Sequence, residues 1–264
     1  MDIRAERLEA LVLKTLAYGD SDVIAHLLVR GRGRVSAFAQ GARSSRKRFG
    51  SALEQFQLAE VLLHERAGQE FWMLREARVI EPHARLREDL HRIAHAGYAV
   101  ELVHGMTRPN EPADQLLTLS LGFLAQLSLG AATSARLRAL ELGALGCAGL
   151  APELHACARC GAEVPPGRVS FDPAAGGVVC SRCAEAGSPR LTVGARAALE
   201  QLQGGGLAAA EAPVSADSSG RPAAAGRFEE ACVQAARPLA LFLAHHLGHS
   251  LRSAEFGRQV GAPP

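Results

Sequence analysis

Val23-Ile24-Ala25-His26-Leu27-Leu28-Val29, then Arg30-Gly31-Arg32-Gly33-Arg34, then Val35-Ser36-Ala37-Phe38-Ala39: two apolar, partly β-branched runs flank a short connection carrying two glycines. That pattern reads as a β-hairpin, because glycine supplies the backbone conformations a tight connection needs. Outward from it, Leu11 to Leu16 forms a run that ends at the turn signal Tyr18-Gly19-Asp20. Downstream, Phe56 to Leu63 and Phe71 to Leu74 form a second pair around Ala67-Gly68. The pattern predicts five strands and no helix of any length between Leu8 and about Glu81. Such a set closes most economically as a small Greek-key barrel of the OB type, whose face and loops bind oligonucleotides or oligosaccharides. A small SH3-like barrel satisfies the same pattern.

The hairpin also carries charge. Between Asp22 and Glu54 there is no carboxylate, while Arg30, Arg32, Arg34, Arg43, Arg46, Lys47 and Arg48 stand among Gly31, Gly33, Gly41 and Gly50. The chain as a whole has a net charge of only +2, so the asymmetry is local. A patch of one sign on glycine-bearing loops suits a phosphate backbone, since each cation that neutralises a phosphate releases a condensed counterion. The plainer alternative is a solvated basic hairpin without a partner.

Pro82 marks a change to helical spacing, with Leu86, Leu90, Ile93, Ala94 and Gly97 on one side. A second helix is expected from Asp114 through Leu127, a third from Ser134 through Leu145, and a short one from Leu191 to Leu202. Gly204 to Gly226 is poor in large apolar residues and reads as a flexible linker. Arg227 to Ser253 reads as the closing amphipathic helix, kinked or restarted at Pro238. The expected division is therefore a barrel domain over 1–81 and a helical domain over 82–264, with an insertion at 151–189. Leu116 to Ala132 is too short and polar for a membrane span, and Met1 to Leu11 is charged, unlike a signal peptide. No membrane association and a cytoplasmic location are expected.

Cys157-x2-Cys160, a gap of 19 residues, and Cys180-x2-Cys183 have the spacing of a four-cysteine zinc site. Each Cys-x-x-Cys presents two thiolates to one ion, and Gly161 suits the tight turn. Val169 to Asp172 and Gly176 to Val179 read as a small hairpin delivering the second pair. Two disulfides are disfavoured by a reducing cytosol. A closed set of four thiolates leaves no open position, so one structural zinc per chain is expected. Cys147 and Cys232 read as buried core thiols. His91 and His95 stand four apart on a helix, but Arg92 replaces the glutamate a metalloprotease motif needs. There is no phosphate-binding loop, no nucleophile elbow and no paired acidic cluster, so no enzymatic activity is expected.

Taken together, Leu11-Val12-Leu13-Lys14-Thr15 with Tyr18-Gly19-Asp20-Ser21-Asp22, then Gly33-Arg34-Val35-Ser36, Gly41-Ala42-Arg43 and Lys47-Arg48-Phe49 resemble the RecO family of bacterial DNA repair and recombination mediators. Cys157-Ala158-Arg159-Cys160-Gly161, Ser170-Phe171-Asp172, Gly176-Gly177, Cys180, Cys183, His246-Leu247-Gly248 and Leu251-Arg252-Ser253 extend the resemblance over almost the whole chain. The long stretch from Gly204 to Gly226 departs from it. The resemblance implies an α+β protein, with a five-stranded OB-type barrel followed by a helical domain bearing a four-cysteine zinc knuckle. It implies binding to single- and double-stranded DNA, strand annealing, and cooperation with RecR in loading RecA onto DNA coated by single-strand binding protein (SSB). A nucleoid-associated cytoplasmic location follows, and the helical domain would receive the acidic C-terminal tail of SSB. A scaffold that binds partner tails without touching DNA is the alternative.

On that reading the phosphate contacts are Arg30, Arg32, Arg34, Arg43, Arg46, Lys47 and Arg48, with Lys14 outlying. Aromatic residues make up 5% of the chain, so stacking platforms are few. Phe38 and Trp72 read as core, which leaves Phe49 as the expected platform for a base.

Overall fold

The computed structural model describes residues 5–65, 71–211 and 224–264. The chain divides into two compact units, Met1–Gly130 and Ala131–Pro264. The helices expected to begin a second domain at 82 therefore group with the barrel, and the division falls 49 residues later, between 130 and 131 rather than between 81 and 82.

In the first unit, β1 (Ala5–Tyr18), β2 (Asp22–Val29), β3 (Gly33–Ala39), β4 (Leu58–His64) and β5 (Trp72–Glu81) form a barrel in the order β1-β2-β3-β5-β4. Closure depends on the length of β1. Its residues from Ala10 to Tyr18 pair with β2, and those from Ala5 to Leu11 pair with β4. An irregularity between Val12 and Lys14 lets one strand serve both partners, as a bulge bends and twists a strand. The β3–β5 seam is parallel and short, with Ala37 opposite Trp72 and Phe38 opposite Met73. This is the OB-type arrangement, and the SH3-like alternative falls away.

Alternation fills the barrel: Ala10 and Val12 of β1, Ala25, Leu27 and Val29 of β2, and Val35, Ala37 and Ala39 of β3 all point inward. Phe49, Ala52 and Leu53, from the loop after β3, complete the same core. A 3-10 turn (Ala84–Glu88), α1 (Leu90–Met106) and α2 (Asp114–Leu129) follow. The side chain of Asp89 accepts from the Arg92 amide at 2.9 Å and starts α1 four residues after the expected Leu86.

The second unit contains α3 (Ser134–Cys147), then β6 (Val169–Asp172), β7 (Gly177–Val179) and β8 (Arg190–Leu191), then α4 (Val193–Ala209), α5 (Ala224–Leu247) and α6 (Ser253–Gln259). The strands make a sheet in the order β7-β6-β8. Helix α3 is buried almost all round, and Glu229 of α5 caps it by accepting from the amides of Ser134 and Ala135. The expected linker at Gly204 to Gly226 is partly helix. Residues 204–209 belong to α4, which is kinked at Gly206, and 224–226 open α5, while 212–223 lie outside the described residues. Pro238 sits inside α5 without ending it. Cys232 is buried as expected, whereas Cys147 at the end of α3 is exposed. Among the described residues no helix is long and apolar enough to cross a membrane.

Candidate nucleic-acid interface and metal centre

The contiguous basic stretch of the sequence is split by the fold. Arg30, Gly31, Arg32 and Gly33 form the β2–β3 turn, whereas Arg43 to Arg48 lie in the loop after β3, at the far end of the same hairpin. A strand rises ~3.3 Å per residue, so the seven residues of β3 hold the two groups roughly 20 Å apart.

The cations at the turn are engaged inside the unit. Arg32 donates to both carboxylate oxygens of Glu6, at 2.6 and 2.8 Å, and Arg30 donates to Glu9 at 2.6 Å. The bond to Glu6 holds the Arg32 guanidinium more firmly in its charged form, above its ordinary value. The Gly31 amide donates to Asp114 at 2.7 Å. Arg34 is half-buried, donating to the carbonyl of Thr107 at 3.2 Å and meeting Nε2 of His104 at 3.2 Å. This turn docks the barrel onto the chain between α1 and α2. It does not present a row of free cations.

The loop after β3 is different. The Gly41 amide donates to Asp22 at 2.7 Å, and Arg43 donates to the carbonyl of Asp20. Arg48 reaches back to the carbonyl of Gln40 at 2.8 Å, and its guanidinium lies 5.0 Å from the centre of the Phe49 ring. These bonds hold the loop's frame while Arg43, Arg46, Lys47 and Arg48 remain exposed. Among the described residues, Arg46 and Lys47 make no hydrogen bond and no ion pair. Phe49 is only 3% exposed within the barrel core, so its ring anchors the loop and is not open to a base.

The exposed aromatic surface lies elsewhere. Cross-strand register places Leu16, Ile24 and Phe38 in one row on the outer face of β1, β2 and β3. Leu16 is 41% exposed, and Tyr18 at the end of β1 is 56% exposed. Tyr18 meets Phe38 edge to face with ring centres 5.7 Å apart. Phe38 is half-buried on this outer face and not in the core, because its neighbours Ala37 and Ala39 take the inward positions. The next row holds Lys14, His26 and Ser36, with Lys14 exposed. Tyr18 escapes a reading that looks for aromatics in runs of cations. The available signal was its place beside the Gly19-Asp20 turn, which is a loop at one end of the candidate binding face.

Thus Lys14 stands in the row next to an apolar and aromatic strip, and Arg43 and Arg48, bonded to the carbonyls of Asp20 and Gln40, stand at one end of it in the loop that also carries Arg46 and Lys47. Arg30 and Arg32 sit at the other end in ion pairs, and Arg34 is packed against α1. Burial lowers the pKa of Arg34 and His26, and it brings His104 down to about 4 with help from the positive charge of Arg34.

In the second unit, the thiols of Cys157, Cys160, Cys180 and Cys183 all lie within 4.8 Å of one another. The first pair sits in a turn closed by the Gly161 amide donating to the Cys157 carbonyl at 2.8 Å, with Gly161 at φ +71°. The second follows β7, and the Ala158 amide donates to Val178 to tie the two turns together. Cys160 Sγ and Cys180 Sγ are 3.8 Å apart. A tetrahedral ion with metal–sulfur bonds of ~2.3 Å requires sulfur–sulfur edges of about 3.8 Å. The Cys180 amide points at Cys157 Sγ at 3.3 Å and helps bring that thiol down to about 6. Hydrogen bonds with Cys160 and Cys180 hold the proton on Cys183, pushing it up to about 12. Four thiolates this close ionise together only around a cation, so the donor set fits a metal ion.

The residues match two family descriptions: 1–83 match the N-terminal part and 87–255 the C-terminal part of recombination protein O. The chain is 45% identical over 258 residues to the DNA repair protein RecO of Anaeromyxobacter sp. (strain K), covering 97% of this chain and 96% of that protein. It is 38% identical over 255 residues to the DNA repair protein RecO of Myxococcus xanthus (strain DK1622), covering 96% and 97%. Two domain matches in order and relatives of nearly equal length place this chain in the recombination protein O family, with a role in DNA repair and recombination.

Proposed function

We propose that the chain is a recombination mediator that binds single- and double-stranded DNA on the outer face of β1, β2 and β3 and anneals complementary strands without breaking bonds. One observation carries the reading: the strip of Leu16, Tyr18, Ile24 and Phe38 ends at the β1–β2 turn, to which Gly41 and Arg43 tie the loop that bears the exposed cations Arg46 and Lys47. Cations at its rim screen the repulsion between two backbones, which is the main obstacle to annealing. Apolar and aromatic side chains offer unpaired bases a surface. Contacts to phosphate position a strand without reading it, so no sequence preference is expected.

Family membership supports cooperation with RecR, contact with the acidic tail of SSB, and delivery of RecA to SSB-coated DNA. The ion at Cys157, Cys160, Cys180 and Cys183 is proposed to be one structural zinc per chain.

The test is a salt-dependent titration of DNA against the full chain and two variants. Arg46→Ala with Lys47→Ala and Arg48→Ala should weaken binding to every sequence alike. It should flatten the slope of log K against log salt by about 0.7–0.9 per lost contact. Arg30→Ala with Arg32→Ala should leave the slope almost unchanged, because those cations are already neutralised by Glu9 and Glu6. Equal effects from the two variants, or none from the first, would overturn the assignment of the face.

A further inference from the structure

The second unit contains a cleft of about 710 Å³ beside the cysteine cluster. Residues of the small sheet line part of it. Ser170 of β6 stands between Val179 of β7 and Arg190 of β8. Arg168, two residues before Ser170, lines the same cleft, and Arg182, between Cys180 and Cys183, lines its other side. All three arginines are exposed, and among the described residues none of their guanidinium groups makes a hydrogen bond or ion pair.

Two acidic side chains border the cleft. Glu185 is taken up by Arg159 at 2.6 Å, and Arg159 also holds Asp172 at 2.6 Å. Glu163 is the remaining carboxylate among the lining residues, against three guanidinium groups.

One wall is fixed in place. The buried Arg196 of α4 donates to the carbonyls of Val164 at 3.2 Å and Pro165 at 3.1 Å, and its Nε is held by Glu200 at 2.9 Å. A prepositioned wall lowers the ordering cost when a ligand settles against it. Among the described residues no aromatic side chain lines the cleft, so it offers no stacking platform. What it offers is planar, forked donors that match phosphate oxygens.

We infer that this cleft is a second binding site for a DNA backbone, with Arg168, Arg182 and Arg190 as its phosphate contacts. The inference rests on the proposed DNA-binding function and deepens it, since an annealing protein must hold two strands. A cleft without rings takes single and double strands alike, whereas the strip on the barrel favours unpaired bases.

The experiment counts strands on the full-length, metal-loaded protein by native mass spectrometry with a short thymidine oligonucleotide of about ten residues, a length within the range of one OB-fold site. Metal content is measured alongside. The unaltered chain should carry two oligonucleotides at saturation. Arg168→Glu with Arg190→Glu should carry one, and so should Arg46→Ala with Lys47→Ala and Arg48→Ala. The milder Arg168→Gln with Arg190→Gln should show the same loss with its metal retained. Arg168→Lys with Arg190→Lys should restore at least part of the second site. The inference fails if either cleft variant that keeps its metal still carries two strands. It fails equally if the barrel variant abolishes all binding, or if the arginine losses cost only metal. An unaltered chain that binds no DNA would remove the proposed function as well, which separates the two failures.

Discussion

Gly33 faces the backbone carbonyl of Glu111 so closely that a Cβ built on it would stand 1.7 Å from that oxygen. The glycine also lies at φ +72°, a conformation other residues adopt only under strain. Beside it, the Asn110 amide donates to the Arg34 carbonyl at 2.9 Å. The β2–β3 turn is therefore the seat on which residues 107–111 dock. Gly33→Ala must move backbone against backbone and accept left-handed strain together, for a loss of roughly 3 kcal/mol or more. Chemical denaturation followed by far-ultraviolet circular dichroism would show it, and a loss below about 1 kcal/mol would mean that the seat yields.

That relationship explains what the sequence concealed. The hairpin was legible from Val23 to Ala39, because period-two alternation and glycine spacing are local signals. The cysteine pairs were legible for the same reason, as were the starts of α2 at Asp114 and α3 at Ser134. What stayed hidden depends on partners distant in sequence. Arg30 and Arg32 look identical to Arg46 and Lys47 in a linear reading, yet β1 brings Glu9 and Glu6 beside the first two only. Phe49 sits among cations and still turns inward to close the barrel. Gly204-Gly205-Gly206 opposes helix by propensity and so reads as linker, yet α4 continues through it to Ala209 with a break at Gly206.

Tyr18 has the exposed ring that the linear reading assigned to Phe49. Tyr18→Ala removes an exposed ring that contacts Phe38, and it should reduce affinity for single strands by ~1–3 kcal/mol. Affinity for duplex should change little, since paired bases cannot reach the ring. Phe49→Ala removes a buried side chain from the barrel and should cost ~3–5 kcal/mol of stability. Anisotropy titrations with matched single and double strands, together with denaturation curves, separate the two. Equal loss on both substrates for Tyr18→Ala would mean that its ring does not stack.

His104 provides a pH test of the packing between α1 and the barrel. Arg34 can only donate, so the Nε2 of His104 at 3.2 Å must accept and therefore be unprotonated. Burial, then the charges of Arg34, His26 and Lys14, bring His104 down to about 4, opposed by Glu101. In the unfolded chain the same imidazole titrates near its ordinary value of ~6.5. The unfolded state thus binds the extra proton first as pH falls, and the stabilising contribution is complete above ~6.5 and lost progressively towards 4. The unfolding midpoint should fall between pH 6.5 and 5, above the main carboxylate range. His104→Gln keeps an acceptor for Arg34 and cannot titrate, so its midpoint should fall less over that window. Parallel curves for the two proteins would rule out His104 as the source.

The thiols give an ordered reactivity series that tests the metal centre. Cys147 is exposed and outside the cluster, so a thiol reagent should reach it in the native, metal-loaded chain. Cys157, Cys160, Cys180 and Cys183 should resist while an ion holds them, and elemental analysis should find about one zinc per chain. Removing the ion with a strong chelator leaves four uncoordinated cysteines, Cys183 reprotonated, in a segment held by short strands and tight turns. Those four cysteines should then react, and β6 to β8 should lose protection from proteolysis. Cys232 is buried, and burial pushes its thiol up to about 12, so it should stay silent until the whole unit unfolds. Cys157→Ser should reproduce the chelated state while the barrel's salt slope for DNA is preserved. If the cluster cysteines react at once in freshly purified protein that contains no metal, the centre is not a metal site.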